Sequence, residues 1–189
     1  MVYPPQFHAD PKVPFVRLDD SDLKPASRFI VHTWASSFDW AAGRTKRALL
    51  PREFGLLEPY LAEAVVADHG ADFVFSQWGR ALDMLCGGTR CGHRLSAFPQ
   101  PSRSHLRRVS VRAAATRMPA VSRETWALEG NVWRCRIMAL PTDGNDFSVT
   151  RLLVALLFAP HPIVAHSAVL EGNGWPARGI VQSVYQTIL

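Results

Sequence analysis

The residues from 72 to 98, DFVFSQWGRALDMLCGGTRCGHRLSAF, restrict the fold more than any other stretch of this chain. They begin with an alternating aromatic pattern. Phe73 and Phe75 lie two residues apart, so an extended strand would place them on one face, followed there by Gln77. The opposite face of that strand would carry Val74, Ser76 and Trp78. We therefore predict a strand whose phenylalanines face an apolar interior.

A short helix and a glycine turn follow this strand. Gly79 ends the aromatic run, and the residues after it, such as Leu82, are good helix formers. Gly87 and Gly88 then end the helix, because glycine accepts the left-handed backbone that is common just after a helix. A strand that leads into a short helix beneath a glycine turn predicts a lid over a small pocket.

Composition and charge favour a globular protein. Hydrophobic residues make up 48% of the 189 residues and charged residues 20%, which is not the composition of a disordered chain. The formal charge of +5 comes from arginines scattered along the chain, so we expect no nucleic-acid partner. The longest apolar run, residues 152–160, is too short to span a membrane. With three cysteines and a proline-rich start in place of a signal peptide, we expect a cytoplasmic protein with reduced thiols.

The periodicity of the rest of the chain predicts further helices and strands. Residues 26–42 predict an N-terminal helix that starts at Ser27 and stops at Gly43. Residues 102–118 predict a long helix with one apolar side. The strands are predicted at residues 60–67, 72–78, 121–128, 132–140 and 148–158, joined by hairpin-type turns. For residues 61–67 a helix remains the alternative.

The segment FVFSQWGRALDMLCGGTRCGHRLSAF resembles the strand-to-helix segment of PAS domains, in particular that of a bacterial family of mostly stand-alone PAS-like proteins. The family has an aromatic-x-aromatic strand, a glycine, an apolar helix and a glycine-containing turn. The residues that fit this pattern are Phe73, Phe75, Gly79, Gly88, Gly92 and Leu95. Arg80 and Gln77 depart from it, and Gln77 would place a polar group in the pocket. The resemblance extends over about residues 29–158.

The resemblance implies an α+β fold, with a PAS-like five-stranded antiparallel sheet, helices on one face, an N-terminal helix and a C-terminal tail. The PAS-like domain would span residues 58–159. A proline-rich arm, residues 1–25, and a segment with the N-terminal helix and its connection, residues 26–57, would precede it. A C-terminal extension, residues 160–189, would follow it and add an edge strand or a helix.

Apolar residues of this domain are the predicted ligand contacts. Aromatic and aliphatic residues at such spacings form a core by default, and packing alone explains them. In the functional interpretation, part of the set lines a ligand cavity opposite the long helix. The predicted ligand-binding residues are Phe73, Phe75, Gln77, Leu82, Leu106, Val109, Trp126, Trp133 and Ile137.

The N-terminal helix carries one apolar stripe. Ile30, Trp34 and Phe38 recur along it at helical spacing. In the family, such a helix either covers the domain or forms a dimer seam, and packing on the chain's own sheet is the alternative to a partner contact. We predict these three residues to bind a partner, which would be a second copy in a homodimer or a separate signalling protein.

The sequence has no catalytic signature. A Gly-x-Ser-x-Gly elbow and a phosphate-cradling glycine loop are both absent from it. Ser104 and His105 are neighbours in sequence only, which does not make a catalytic pair. A small α+β enzyme with a cone-shaped pocket and one buried acid remains an alternative, because such sites have no motif. Asp72 or Asp83 would then supply the acid.

Cys86, Cys91 and His93 suggest a metal or redox site. Zinc sites usually pair cysteines two to four residues apart and need four ligands, and no second ligand pair stands near these residues. A redox pair of Cys86 and Cys91 would need a lowered thiol pKa, of which the sequence has no sign. His105 lies on the long helix, from which some haem-binding PAS domains take their axial ligand, although such a histidine is more often a surface or capping residue. We predict neither metal ligands nor a defined cofactor.

Together these features predict a non-catalytic sensory or regulatory protein. It would bind a small ligand, a partner protein or both, and would pass the signal on through protein–protein contacts. Ligand binding would shift the packing of the short helix and of the N-terminal helix. The alternatives are the small enzyme and a purely structural dimerisation module, for which we expect a filled core and an exposed apolar helix face.

Overall fold

Three α-helices and eight strands make up most of the part of the chain that the structure describes. This computed structural model describes residues 17–42, 44–45, 48–100, 102–128, 131–144, 148–160 and 184–186. The α-helices are α1, Asp20–Ser37; α2, Arg80–Cys86; and α3, Ser102–Thr116. Short 3-10 segments are Pro51–Tyr60, Asp68–Gly70 and Leu95–Ala97. The strands are β1, Phe38–Asp39; β2, Arg44–Thr45; β3, Leu61–Ala67; β4, Asp72–Trp78; β5, Ala120–Leu128; β6, Asn131–Gly144; β7, Val149–Pro160; and β8, Val184–Gln186.

An antiparallel sheet in the order β4-β3-β7-β6-β5-β8 is the central layer. The hairpin β3–β4 lies beside β7, which is the last strand of the meander β5–β6–β7. These five strands are the predicted five-stranded antiparallel sheet, so the α+β class is confirmed. The sixth strand, β8, comes from the C-terminal extension and pairs with β5 as an edge strand. β1 and β2 form a separate ribbon.

The predicted facing of the last residues of β4 is wrong, because β4 contains a bulge. Glu63 of β3 is opposite Gln77, and the next residue of β3 is opposite Phe75, so Ser76 is an extra residue. One inserted residue reverses the alternation of faces that follows it. Trp78 therefore joins the side of Phe75, with 5.0 Å between the ring centroids. Gln77 is exposed instead of sharing the phenylalanine face.

Helices cover both faces of the sheet. Glu124 of β5 is opposite Cys135 of β6, and Glu124 is in contact with His105 of α3, so α3 lies on this face, which we call the inner face. Arg134 precedes Cys135 and therefore points to the outer face. There it pairs with Asp20 of α1 across 2.6 Å. The predicted N-terminal helix, α1, thus covers the outer face, and α3 covers the inner one.

The core lies on both sides of β6 and β7. All residues of β7 from 152 to 159 are buried, which is the continuous apolar run expected of a strand that is covered on both faces. In β6, residues 137–142 are buried as well. The two longest strands of the sheet therefore form the part that holds α1 and α3 together.

α1 begins at Asp20, and not at Ser27 as predicted. The Asp22 carboxylate accepts a hydrogen bond from the main-chain N–H three residues earlier, at 2.8 Å, and so satisfies one of the open donors at the helix start. Ser27 lies inside the helix, where its hydroxyl donates to the Leu23 carbonyl oxygen. The acidic end of the predicted proline-rich arm is therefore the first turn of α1.

Several predicted features fall on residues that the structure does not describe. They are residues 1–16 of the proline-rich arm, Gly43, and residues 161–183 and 187–189 of the C-terminal extension. The helix predicted to reach residue 42 ends earlier, at Ser37, because Phe38 and Asp39 pair with Thr45 and Arg44 in the β1–β2 ribbon. Among the helices that are described, none combines the length and the apolar character needed to cross a membrane.

Candidate functional site

α3 has two chemically different sides. Its buried residues are Ser102, His105, Leu106, Val109, Ser110 and Ala113. Because an α-helix repeats every 3.6 residues, the arginines at 103, 107, 108 and 112 fall beside or opposite this buried stripe. The helix, SRSHLRRVSVRAAAT, has no acidic residue of its own. Its positive charge must therefore be balanced by other elements, by solvent ions or by a ligand.

A buried polar cluster joins α3 to β5. Arg108 donates from Nη2 to Oε1 of Glu124 at 2.9 Å. Nδ1 of His105 lies 3.3 Å from the same oxygen, and the Ser122 hydroxyl donates to it as well. The Glu124 side chain is fully buried, whereas the Arg108 side chain is 38% exposed. Arg108 thus extends from the surface to a buried carboxylate.

The cluster keeps Glu124 ionised. Burial alone raises the pKa of Glu124. Hydrogen bonds from His105 and Ser122, together with the charge of Arg108, outweigh burial, so the pKa of this carboxyl is lowered. Such a carboxylate is a weak general base at neutral pH and a strong structural anchor. Ser122 is fully buried and its hydroxyl donates to Glu124, so this serine is not placed as the exposed nucleophile of a hydrolase.

An open groove of about 740 Å³ runs along α3. It is lined by the four arginines Arg103, Arg107, Arg108 and Arg112, and by the polar residues Ser96, Gln100, Ser104 and Thr116. Arg103 donates to the main-chain oxygen of Ser96 at 3.0 Å, and Arg107 to that of Ala71 at 3.4 Å. These acceptors are neutral, so they leave both guanidinium charges in place. The groove is therefore strongly basic.

Asp72 is the one acidic residue that the described part of the chain contributes to the lining of the groove, and other partners hold it. Its Oδ1 accepts the main-chain N–H of Phe73 at 2.8 Å and that of Ser96 at 3.1 Å. Its Oδ2 accepts the Ser96 hydroxyl at 2.7 Å and lies 3.5 Å from Nη1 of Arg94. Burial raises the pKa of Asp72, but these hydrogen bonds outweigh it and the pKa is lowered. Such partners are typical of a structural carboxylate.

The predicted ligand-binding residues come together in the packed interior, with one exception. Those at most 5% exposed are Phe73, Phe75, Leu82, Leu106, Val109, Trp126 and Ile137, and Trp133 is partly buried against them. Gln77 is exposed, because the bulge at Ser76 turns it away from this set. None of the nine lines the basic groove or a second depression of about 20 Å³ beside β2. That they bind a ligand stays a prediction.

The predicted partner-binding residues pack on the chain's own sheet. Ile30, Trp34 and Phe38 are 0%, 1% and 6% exposed. Trp34 donates from Nε1 to the carbonyl oxygen of Pro141 at 2.6 Å, which attaches α1 to β6. In this structure the three side chains therefore pack against the chain's own sheet and are not exposed at the surface. Trp40, which is 63% exposed, stacks edge-on against Phe38 at the end of α1.

The predicted short helix and its glycine turn are present, and the two cysteines of this segment are in different environments. Gly87 ends α2 in the left-handed conformation, with φ 65°, as predicted. Cys86 is buried, and burial raises the pKa of its thiol to about 12. Cys91 is exposed, and its Sγ donates to the Ser76 carbonyl oxygen at 3.2 Å. In the ranges described, no three His, Cys, Asp or Glu side chains are arranged to hold a metal ion.

The buried cluster and the basic groove are the parts of the site that the sequence patterns do not identify. His105, expected as a surface or capping residue, is 7% exposed and contacts Glu124. Two signals were present in the sequence. Glu124 alternates with Ser122 and Trp126 along one face of β5, and an acid between core positions marks a buried charge. The second signal is a helix with several arginines and no acid.

Comparison of this chain with protein-family models, curated proteins and solved structures finds no match. Its function therefore has to follow from the chemistry of its own residues. Those residues form a basic groove that Arg108 connects to a buried carboxylate on the sheet.

Proposed function

We propose that this chain is a non-catalytic regulatory module of the PAS-like type, which binds a small ligand and passes its state to a partner through protein–protein contacts. The order of its elements supports the PAS-like part of the proposal. A hairpin, a short helix, a long helix and a three-stranded meander follow one another around one antiparallel sheet. This is the succession that the sequence resemblance implies.

One observation carries the regulatory part, namely the contact of Arg108 with both the groove and the interior. The guanidinium lines the groove and donates to Glu124, whose side chain is fully buried on β5. A ligand that changes the position of Arg108 therefore also changes the ion pair of that carboxylate. Because a buried charge needs its partners, the packing of α3 on the sheet has to respond.

The response can reach the outer face through the sheet. β5 pairs with β6 along its whole length. β6 in turn contacts α1 through the hydrogen bond of Trp34 to Pro141 and the ion pair of Arg134 with Asp20. Ligand binding would shift the population between two packings of α3, and α1 would follow. The output partner in this proposal is a second copy of the chain or a separate signalling protein, in the cytoplasm.

The test is ultrafiltration of the full chain with an extract of bacterial small metabolites, followed by mass spectrometry of both fractions. We expect at least one metabolite to be retained with its mass unchanged. Added alone, that metabolite should change hydrogen exchange in β5, β6 and α1. The Glu124→Gln variant, which keeps the groove arginines, should retain the metabolite and show a smaller change in α1.

Two results would overturn the proposal. A metabolite that disappears and is replaced by a new mass identifies an enzyme, the first alternative. If no metabolite is retained and hydrogen exchange stays unchanged, the chain is a structural module, the second alternative.

A further inference from the structure

We propose that the groove along α3 binds a small molecule that carries a chain of two or three linked phosphates. This names the ligand class of the module proposed above. The regulatory consequence rests on that proposed function, whereas the binding itself depends only on the groove.

The charge of the groove favours an anionic ligand. Among the described residues, four arginines line it, and one of them, Arg108, pairs with the buried Glu124. The one carboxylate in the lining is that of Asp72, whose oxygens are held by Ser96, Arg94 and the main chain. Arg103 and Arg107 donate to main-chain carbonyl oxygens, which do not offset a positive charge. A guanidinium has five N–H donors, so both side chains keep donors for a ligand.

The spacing of the arginines favours a chain of phosphates over a single anion. Arg103 and Arg107 are one turn apart, roughly 6 Å along the helix axis, and Arg112 is about 13 Å further along the axis than Arg103 and about half a turn around the helix from it. A single phosphate is too small to contact all three side chains. Linked phosphates present an anionic group at each step, and the planar guanidinium binds phosphate oxygens in pairs.

The shape and the other lining residues favour a small ligand over a polymer. A volume of about 740 Å³ is that of a site for a small molecule. In the part of the chain that the structure describes, no aromatic side chain lines the groove, so it lacks the stacking platforms on which proteins bind single-stranded nucleic acid. Beside the arginines, the side-chain amide of Gln100 can donate to a phosphate oxygen, whereas the Ser96 hydroxyl already donates to Asp72 at 2.7 Å.

The test is isothermal titration calorimetry of the full chain in metal-free buffer at physiological salt. The titrants are orthophosphate, pyrophosphate, tripolyphosphate, ATP and an eight-residue glutamate peptide. We expect tripolyphosphate to bind at least about tenfold more tightly than orthophosphate. If ATP binds as tightly as tripolyphosphate, the phosphates alone are recognised. If ATP binds more tightly than tripolyphosphate, the ligand is a nucleotide. If ATP binds more weakly than tripolyphosphate, the ligand is an inorganic oligophosphate. Each of these three results supports the proposal.

Two matched double variants distinguish binding in the groove from a general effect of the positive charge of the protein. Arg103→Ala with Arg107→Ala removes two cations one helical turn apart from the groove. Lys24→Ala with Arg28→Ala removes two exposed cations one turn apart from α1, on the other face of the sheet. We expect the first pair to weaken tripolyphosphate binding at least about tenfold and the second to leave it unchanged, with both proteins folded by circular dichroism.

The proposal is overturned if tripolyphosphate does not saturate the chain at millimolar concentration, or if both variant pairs lose binding equally. Tighter binding of the glutamate peptide than of tripolyphosphate also overturns it, because the groove would then be a surface for an acidic protein.

Failure of this ligand assignment and failure of the proposed regulatory function are distinguishable. Oligophosphate that binds without changing hydrogen exchange in α1 contradicts only the regulatory function. A different metabolite that binds elsewhere and changes exchange contradicts only this assignment.

Discussion

Arg108 donates to Glu124 across 2.9 Å, and the two side chains differ completely in exposure, at 38% for the arginine and 0% for the glutamate. An exposed ion pair contributes little to stability, whereas a buried carboxylate that loses its partner is costly. The pair is therefore asymmetric. Solvent or a ligand can replace Glu124 as the partner of Arg108. The buried Glu124 would lose the charge of Arg108 and keep its contacts with His105 and Ser122.

The first prediction concerns the charge of Glu124. Glu124→Gln keeps the shape of the side chain and weakens the charge-assisted hydrogen bond from Arg108, so we expect the free energy of unfolding at pH 7 to fall by about 2 kcal/mol. Urea denaturation followed by circular dichroism measures this difference. Glu58→Gln, at an exposed position, is the matched control and should change stability by less than about 0.5 kcal/mol. Equal effects of the two substitutions would show that the cluster contributes nothing.

The second prediction is the pH dependence of that difference. The pKa of Glu124 in the folded chain lies below its ordinary value of 4.5. The unfolded chain therefore binds the proton more readily, and the stability from this group is complete above pH 4.5 and is lost as the pH falls through the folded pKa. The wild type should thus lose more stability than Glu124→Gln between pH 7 and pH 3. Parallel stability curves for the two proteins over this range would contradict a lowered pKa.

The strands and helices were predictable because each depends on neighbours in sequence. The alternation at Phe73 and Phe75 and the breaks at Gly79 and Gly87 are local signals, and the structure has β4, the start of α2 and the end of α2 at these positions. The bulge at Ser76 was not predictable in this way. It is defined by the register against β3, and the sequence carries only a change in aromatic spacing, from two residues between Phe73 and Phe75 to three between Phe75 and Trp78.

The environments of the site residues depend on the partner strand or helix, which local patterns do not contain. The sequence pattern of the apolar stripe that contains Trp34 fits a partner surface and an internal contact equally well. Only the position of β6 beneath α1 decides between them. Likewise, four arginines on one helix are a solvated face or a binding groove, depending on what borders them. In this chain, Ser96 and Ala71 border them.

The third prediction tests the internal role of Trp34. Trp34→Phe preserves most of the apolar contact and removes the hydrogen bond to the carbonyl oxygen of Pro141, so we expect a loss of about 1.5 kcal/mol in the free energy of unfolding. Trp40→Phe is the matched control, because Trp40 is 63% exposed, and it should be close to neutral. Light scattering of both variants should give the mass of the wild type. If Trp34→Phe changes the oligomeric mass while stability is unchanged, Trp34 is a partner contact.

The fourth prediction concerns thiol reactivity. Burial raises the pKa of the Cys86 thiol to about 12 and that of Cys135 well above its ordinary value, so at pH 8 both stay protonated. Iodoacetamide at that pH should label the exposed Cys91 first, and the other two only in urea, as peptide mass spectrometry would detect. Labelling of Cys86 in the native chain as fast as that of Cys91 would show that α2 opens and exposes this thiol to solvent.

The last prediction concerns the junction of β4 and α2, at Gly79. Its backbone, φ −74° and ψ 148°, suits any residue, so only space limits substitution. A methyl group added there would lie 2.6 Å from the carbonyl carbon of Pro59 and 2.7 Å from the carbonyl oxygen of Leu61. Both are main-chain atoms that cannot rotate away, so Gly79→Ala should lower the free energy of unfolding by about 3 kcal/mol.

Gly88, in the turn after α2, separates this steric cost from backbone strain. It has open space around it but a φ of +124°, so Gly88→Ala meets strain alone and should cost about 1 to 2 kcal/mol. Urea denaturation of the two variants side by side gives the comparison. We expect Gly79→Ala to lose more unfolding free energy than Gly88→Ala, because Gly79 lies at the start of α2, where it meets the 3-10 segment Pro51–Tyr60. An equal or smaller loss there would mean that strand and helix do not approach the main chain of this segment closely.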